Sequence, residues 1–295
     1  MRTAARAAKG RDLRDQISKE FALDVKRFVM GTRLGRAALS IRSSVNVLKT
    51  AYYHPEISGM IANDRMAEQL ATRLCRPSRT VVDVGAHIGS FFSEVLDHEP
   101  TARVVAIEAM PDKIAILRRK FPGVTFHECA VSEAKGTATF YINHVSSGFS
   151  SLGRPVESLR SQVTEITVAV ERLDDLLSSS EVDMIKIDVE GGELGVLRGA
   201  ERLVADSRPA ILFESGSGGF NDLNYPWEDL WQWFDDRDIA VLVPNRLAHF
   251  DDGLSREGFL ESHHYPCRTT NYFAIPREHR LEIRSRARRI LGFPD

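Results

Sequence analysis

The stretch Val81-Val82-Asp83-Val84-Gly85-Ala86-His87-Ile88-Gly89 is the most informative part of this 295-residue chain. A short apolar run that contains one carboxylate is followed by two glycines four residues apart. Glycine is favoured where the backbone must turn sharply or approach a bound molecule closely, so the pattern predicts a strand ending in a tight turn that opens a helix. We therefore expect a nucleotide-like cofactor to bind on this turn.

The spacing of the glycines indicates which cofactor binds. The dinucleotide fingerprint G-x-G-x-x-G needs its second glycine where the pyrophosphate approaches the backbone, and here His87 takes that place. Asp83 would repel a phosphate but could hold a cationic amine. Because S-adenosylmethionine carries an ammonium and a sulfonium group and no phosphate, we assign Asp83, Gly85, Ala86, His87 and Gly89 to an S-adenosylmethionine site.

Glu108 ends the next apolar run, Arg103-Val104-Val105-Ala106-Ile107. An acidic residue at the end of the second strand is placed to accept hydrogen bonds from both ribose hydroxyls of a nucleoside. This arrangement suits S-adenosylmethionine and NAD equally, and it predicts that Glu108 and the adjacent Ala109 contact the cofactor. The alternative is that Glu108 is a solvated residue at a strand end.

Motifs further along the chain occur in an order that resembles the FkbM family of S-adenosylmethionine-dependent methyltransferases. The resemblance covers about residues 60–276 and rests on the stretches Asp83–Gly89, Val170–Leu177, Asp183–Glu193, Leu197–Ala200, Arg208–Glu214 and Asn271–Pro276. It implies an enzyme that transfers a methyl group to a hydroxyl of a sugar, glycolipid or other secondary metabolite. It also implies adenine contacts at Glu128 and Cys129, although the family usually has asparagine at the position of Glu128.

The resemblance and the alternation of strand and helix patterns together predict an α/β fold. We expect a Rossmann-like class I S-adenosylmethionine-dependent methyltransferase domain over residues 59–276, with a mostly parallel seven-stranded sheet and helices on both faces. Strands near residues 137–142 and 165–170 are predicted to form an inserted pair, and strands near 239–243 and 270–275 an edge hairpin. Residues 1–58 are predicted to be a basic N-terminal helical extension, and residues 277–295 a basic C-terminal tail.

Four acidic residues end predicted strands, namely Asp83, Glu108, Asp188 and Glu214. Ligands of open α/β sheets bind outside the carboxyl ends of the strands, so we expect these four carboxylates to face one crevice. The alternative is that they cap helices, a role in which Asp is common.

Methyl transfer to a hydroxyl needs a group that orients the acceptor and takes its proton. Asp188, Glu190 and Glu214 are the candidate catalytic residues, and Asp188 is also a candidate cofactor ligand. His87 is a rival base that we assign to the cofactor turn. A divalent metal held by the three carboxylates is an alternative, but we assign no metal ligand. Because alternate residues of a strand point to opposite faces, the sequence alone cannot bring Asp188 and Glu190 together.

Composition favours a large enzyme domain, with 43% hydrophobic and 27% charged residues. No apolar run reaches the roughly 18 residues of a membrane span, and the start of the chain lacks a secretory signal pattern. Three cysteines are too few for a disulfide framework, so we expect a cytoplasmic protein. The net charge of −2 hides a basic segment, since residues 1–49 carry 12 Lys and Arg against 4 Asp and Glu.

The basic segment mixes arginines with apolar residues, a composition that suits amphipathic helices. It predicts either contact with an anionic membrane surface or lipid-linked acceptor, or an arm packed on the catalytic domain or on a second subunit of a homo-oligomer. We expect a small-molecule, glycan or glycolipid acceptor and no nucleic-acid partner, because no RNA- or DNA-binding module accompanies the basic residues. Two other functions stay open: a non-catalytic scaffold of the same fold, and an NAD-dependent oxidoreductase, which His87 disfavours.

Overall fold

The structure is a computed structural model that describes residues 45, 48–144, 148, 150–154, 163–177, 181–216, 223 and 225–293. Residues 1–44 lie outside the described residues, so the basic N-terminal extension and its membrane contact stay predictions. The chain forms two compact units, Met1–Lys49 and Thr50–Asp295, and all the elements below belong to the second.

The strands form a large sheet and a small one. They are β1 Thr80–Val84, β2 Arg103–Ile107, β3 Thr125–His127, β4 Ala130–Val131, β5 Gly136–Asn143, β6 Val163–Glu171, β7 Val182–Ile187, β8 Ala210–Glu214, β9 Ile239–Leu242 and β10 Asn271–Pro276. The seven-stranded sheet has the order β3-β2-β1-β7-β8-β10-β9. Its strands are parallel except for β10, which is antiparallel to both β8 and β9. The predicted mostly parallel seven-stranded sheet is therefore confirmed.

Helices cover both faces of the large sheet. They are α1 Ser58–Leu74, α2 Ser90–His98, α3 Pro111–Lys120, α4 Leu173–Leu176, α5 Glu193–Arg198, α6 Glu201–Ser207, α7 Trp227–Asp235, α8 Arg256–Ser262 and α9 Arg280–Leu291. Local sequence explains the bounds of α3, because Pro111 presets the first helical position and the last turn carries Arg118, Arg119 and Lys120.

The alternation of side chains along the strands divides the core into two layers. Val81 and Met184 belong to the cluster that includes Leu70 of α1, whereas Val82 and Ile185 belong to the cluster on the other face of the sheet. Successive residues of a strand point to opposite faces, so each central strand contributes to both layers. Strands covered on both faces are mostly apolar, as β1 and β7 are.

The other three strands form a separate small sheet in the order β4-β6-β5. β5 and β6 pair in antiparallel register along their full lengths, which confirms the inserted strand pair. A small hydrophobic cluster joins this sheet to Ala109 and Met110, the residues that follow Glu108. The insertion therefore packs beside the end of β2.

The direction of strand order reverses at β1, because β2 and β3 extend the sheet on one side and β7 and β8 on the other. Such a switch point opens a crevice at the carboxyl ends of the strands, and the loops after β1, β2, β7 and β8 converge there. None of the helices in the described part of the chain combines the length and hydrophobicity that a membrane crossing requires.

Candidate active site

A cavity of about 260 Å³ lies at the carboxyl ends of the central strands. It is lined by apolar or weakly polar residues, among them Met110, Cys129 and Phe140, and by carboxylates. Of the residues assigned to a site from the sequence, those that line the cavity are Gly85, His87, Glu108, Ala109, Cys129, Asp188, Glu190 and Glu214. The structure therefore brings the predicted cofactor residues and the predicted catalytic residues to one cavity.

The turn after β1 is built around Gly85. Its backbone φ is +80°, and a Cβ added there would lie 1.9 Å from the backbone oxygen of Asp188. Glycine is therefore required both by the left-handed conformation and by the close approach of the loop after β7. The N–H groups of Gly85 and Ala86 both donate to the Ile107 carbonyl at 3.0 Å, which ties the turn to β2.

Ala86 and Gly89 do not line the cavity, and their direct cofactor contact stays a prediction. Gly89 has φ +81° and is the N-cap of α2, and a Cβ there would meet the Phe92 ring at 2.6 Å. Packing of the helix under the turn thus explains this glycine. Ala86 is buried and packs in the cluster with Phe92.

Glu108 is 5% exposed at the end of β2, so the alternative of a solvated strand end is wrong. Its Oε2 accepts the His87 N–H at 2.7 Å and its Oε1 accepts the Met110 N–H at 2.9 Å. Burial raises the pKa of the Glu108 carboxyl, against the lowering effects of Lys113 and of these two N–H groups. Each carboxylate oxygen keeps acceptor capacity for a further donor from the cavity.

Asp83 does not line the cavity, so its assignment as a cofactor ligand stays a prediction. Its side chain is buried, and the nearest cation is Lys186, whose Nζ lies 3.6 Å from Oδ1. The physical reason is that β1 continues to Val84, so the Asp83 side chain stays on a face of the sheet instead of leaving at the strand end. The expectation that four carboxylates meet in one crevice therefore holds for three of them.

Glu128 also lies away from the cavity, while its neighbour Cys129 lines it. The Glu128 side chain is exposed and forms an ion pair with Arg118 at 3.3 Å, and its adenine contact stays a prediction. Burial raises the pKa of the Cys129 thiol to about 11, with the Glu171 charge adding to the effect. This thiol is therefore a neutral, weakly polar part of the cavity wall at physiological pH.

Asp188, Glu190 and Glu214 converge at the cavity. One carboxylate oxygen of each lies within 4.8 Å of those of the other two. β7 ends at Ile187, and the left-handed backbone of Glu190 (φ +57°) and Gly191 (φ +98°) turns the chain back on itself. This bend brings Asp188 and Glu190 together. Oxygens at such separations could also coordinate a divalent cation, and the metal alternative stays a prediction.

Two residues that are not among the predicted site residues hold this bend in place. The Glu193 Oε1 accepts the Gly191 N–H at 3.1 Å and the Val189 N–H at 3.4 Å. The Ser151 hydroxyl, next to the small sheet, donates to the Glu190 carbonyl at 2.9 Å. A non-glycine residue in the left-handed region costs about 1–2 kcal/mol, and these bonds stabilise it.

The end of β8 is fixed through a buried histidine. His263 Nδ1 lies 2.8 Å from the Phe259 carbonyl, which can only accept, so Nδ1 carries the proton. The Ser215 hydroxyl then donates to His263 Nε2 at 2.8 Å. Burial lowers the pKa of His263, so the neutral ring is favoured. Because Ser215 follows Glu214, this bond restrains the strand end that carries a cavity carboxylate.

The carboxylates of the cavity have different pKa values because their surroundings differ. Burial favours the neutral form of Asp188, but the Lys186 ammonium at 2.9 Å outweighs it and lowers the pKa of Asp188. Burial and the Asp188 charge raise the pKa of Glu214, so Glu214 holds a proton that it shares with Asp188. Burial and the Asp188 charge likewise raise the pKa of Glu190 to about 8. The group thus contains both proton donors and proton acceptors near neutral pH.

Comparison with known proteins places this cavity in a family. A family model described as the methyltransferase FkbM domain matches residues 83–239, which include the turn after β1 and all three converging carboxylates. The chain belongs to the FkbM methyltransferase family. The match ends at the start of β9, so β10, α9 and the N-terminal unit lie outside it.

Relatives of this FkbM-family chain include two fungal proteins. Methyltransferase 1 of Beauveria bassiana (strain ARSEF 2860) is 27% identical over 144 residues, 41% of this chain and 58% of that protein. Methyltransferase sdnD of Sordaria araneosa is 27% identical over 155 residues, 41% of this chain and 60% of that protein. The matches thus span about three fifths of each relative's length.

Solved methyltransferases also match this chain, at low sequence identity. The crystal structure of methyltransferase FkbM from Methylobacillus flagellatus KT is 19% identical with a TM-score of 0.42, over 73% of this chain and 59% of that one. A TehB-like SAM-dependent methyltransferase from Corynebacterium glutamicum is 13% identical with a TM-score of 0.35, over 81% of this chain and 97% of that one.

Proposed function

We propose that this FkbM-family chain is an S-adenosylmethionine-dependent O-methyltransferase that acts on a hydroxyl of a sugar, glycolipid or other secondary metabolite. One observation carries the proposal. A single cavity at the switch point of the sheet joins a nucleoside-type cradle, formed by Gly85 and Glu108, to the converging carboxylates of Asp188, Glu190 and Glu214. A methyl donor and a hydroxyl acceptor would meet between these two groups of residues.

The residues of the cradle fit S-adenosylmethionine. Gly85 lines the cavity without a side chain, and Glu108 presents acceptor capacity that suits ribose hydroxyls. The apolar wall near Met110, Cys129 and Phe140 suits a flat purine ring. Among the described residues that line the cavity there is no lysine or arginine, which favours a ligand without phosphate groups over a dinucleotide.

When bound, S-adenosylmethionine supplies an electrophilic methyl group and leaves as S-adenosylhomocysteine. A sugar hydroxyl is too weak an acid to ionise in advance, so a side chain must take its proton as the new bond forms. Glu190 suits this task, because a base works best when its pKa lies near the operating pH, and the pKa of Glu190 is raised to about 8. The hydroxyl proton therefore passes to the Glu190 carboxylate.

Asp188 and Glu214 orient the acceptor in this proposal. The ionised Asp188 carboxylate accepts a hydrogen bond from a hydroxyl of the methyl acceptor, and the protonated Glu214 donates a hydrogen bond to such a hydroxyl. An array with both kinds of group recognises hydroxyls, which donate and accept at once. Positioning of this kind supplies much of the rate of a displacement reaction, since the reacting atoms must stay nearly collinear.

The test is to incubate the purified protein with S-adenosylmethionine that carries a trideuterated methyl group and with extracts containing glycosides and glycolipids. Mass spectrometry should find a product that gains the labelled methyl group, and NMR should place that group on oxygen. The variant Glu190→Gln should lose the transfer. Glu165→Gln, a matched change of an exposed glutamate on β6, should retain it.

Three outcomes would contradict the proposal in different ways. Label found only on nitrogen would contradict the choice of hydroxyl acceptors. Binding of S-adenosylhomocysteine without transfer to any component would favour a non-catalytic scaffold. Binding of NADH instead would support an oxidoreductase.

A further inference from the structure

Two charged residues interrupt the buried strands at the centre of the sheet, and the proposed function uses neither. Asp83 is the fourth residue of β1 and Lys186 the fifth of β7, and they are direct neighbours in the parallel register of these strands. Neither side chain lines the cavity. Charges at such positions are costly unless they are paired, so their presence needs an explanation.

Lys186 lies between two carboxylates. Its Nζ is 2.9 Å from Asp188 Oδ2 and 3.6 Å from Asp83 Oδ1. The Lys186 side chain is 15% exposed, that of Asp83 1% and that of Asp188 35%. The three side chains therefore form a chain of alternating charge that runs from the buried sheet to the edge of the cavity.

Burial raises the pKa of Asp83, and the Lys186 ammonium acts against burial, with a smaller effect from the Phe92 backbone N–H. Within the described part of the protein, neither carboxylate oxygen of Asp83 has a hydrogen-bond partner. Lys186 is thus the counter-charge of Asp83, and Asp83 in turn anchors the ammonium from behind. The Asp188 backbone is also fixed, since its carbonyl lies against Gly85.

We propose that Lys186 is a positioning residue, anchored by Asp83, that holds the Asp188 carboxylate in place at the cavity edge. The proposal rests on the proposed function, in which Asp188 orients the acceptor. It also gives Asp83 a role in the active site without contact to the cofactor. Consistent with this arrangement, the pKa of Asp188 is lowered although burial alone would raise it.

This arrangement decides which carboxyl holds a proton. An ionised Asp188 next to Glu214 keeps the shared proton on Glu214 and leaves Glu190 to take the proton of the acceptor. Without the ammonium, burial would favour the neutral form of Asp188. The hydroxyl of the methyl acceptor would then face a protonated carboxyl, which donates a hydrogen bond, instead of an ionised carboxylate, which accepts one.

The test uses the double variant Asp83→Asn/Lys186→Met, which removes both buried charges and so leaves no unpaired ion behind. Carbon NMR of the Asp188 carboxyl gives the first readout. In the wild type the Asp188 carboxyl should stay ionised from pH 9 down to its ordinary pKa of about 4, and in the double variant it should titrate above that value. An Asp188 titration that is the same in both proteins would overturn the proposal.

Kinetics gives the second readout, with the trideuterated donor and a fixed acceptor. We expect kcat to fall by about tenfold to hundredfold in the double variant, because a displaced orienting group misaligns the acceptor. The affinity for S-adenosylhomocysteine should stay unchanged, since neither residue lines the cavity. An unchanged kcat, or a loss confined to cofactor affinity, would overturn the proposal.

Controls separate this proposal from folding and from the proposed function. Lys135→Met removes a lysine that pairs with Glu171 at 2.9 Å at the surface, and it should change neither readout. The single variant Lys186→Arg keeps the positive charge and should retain most of the kcat that the double variant loses. If the double variant does not fold, the wild-type titration still decides, because an Asp188 that titrates above its ordinary pKa there would overturn the proposal. Calorimetry with S-adenosylhomocysteine on the wild type tests the proposed function independently of the titration.

Discussion

Replacement of Gly85 by alanine is the perturbation whose effect follows most directly from the structure. The added Cβ would lie 1.9 Å from the Asp188 backbone oxygen and 2.9 Å from its carbonyl carbon, whereas real Cβ contacts stay beyond 3.0 Å. The turn after β1 and the loop after β7 must therefore separate by about 1 Å or more. Overpacking of this kind costs about 1–3 kcal/mol, and the left-handed φ of +80° costs alanine about 1–2 kcal/mol more.

We expect Gly85→Ala to lower the free energy of unfolding by about 2–5 kcal/mol in urea denaturation. The matched control is Gly136→Ala at the start of β5, where an added Cβ meets nothing within 4 Å. That variant should stay within about 0.5 kcal/mol of the wild type. Because Gly85 and Asp188 both line the cavity, Gly85→Ala should also weaken binding of S-adenosylhomocysteine. A Gly85→Ala protein with wild-type stability and wild-type affinity would refute the reasoning.

Three further predictions concern the carboxylates. The kcat/KM for methyl transfer should rise with pH to a half-maximum near pH 8 as Glu190 ionises, and Glu190→Gln should remove this limb and slow transfer by about 10²–10⁴-fold. Burial raises the pKa of Glu193 from 4.5 to about 7, so the folded state binds this proton more tightly than the unfolded state. The stabilisation of the folded state by this proton is complete below pH 4.5 and is lost as the pH rises to about 7. In urea denaturation, the free energy of unfolding of Glu193→Gln should therefore depend less on pH across this range than that of the wild type. Dialysis against a chelator should leave the transfer rate unchanged; a loss restored by Mg²⁺ would establish the metal alternative.

Much of the fold could be predicted because local signals and burial agree. β2 spans Arg103–Ile107, the apolar run that was predicted to form the second strand, since parallel strands covered on both faces are continuously apolar. The inserted strand pair was predictable from its β-branched alternation.

The site was less predictable because side-chain direction depends on where strands end. Asp83 stays on a face of β1, since the strand extends one residue beyond it. Asp188 and Glu190 converge because the strand stops before them and Glu190, with two glycines beside it, takes the left-handed conformation itself. The pairing of Lys186 with Asp83 depends on the register between β1 and β7, which the sequence does not specify.

The proposed function requires that the cavity beside Gly85 and Glu108 binds S-adenosylmethionine, and calorimetric titration with S-adenosylhomocysteine measures binding at this site. We expect one S-adenosylhomocysteine site per chain, no competition by NADH for that site, and much weaker S-adenosylhomocysteine binding in Glu108→Ala. That substitution removes the proposed acceptor for the ribose hydroxyls and leaves the His87 and Met110 N–H groups without their partner. Folded wild-type protein that binds NADH, or that takes up no S-adenosylhomocysteine, would contradict the account.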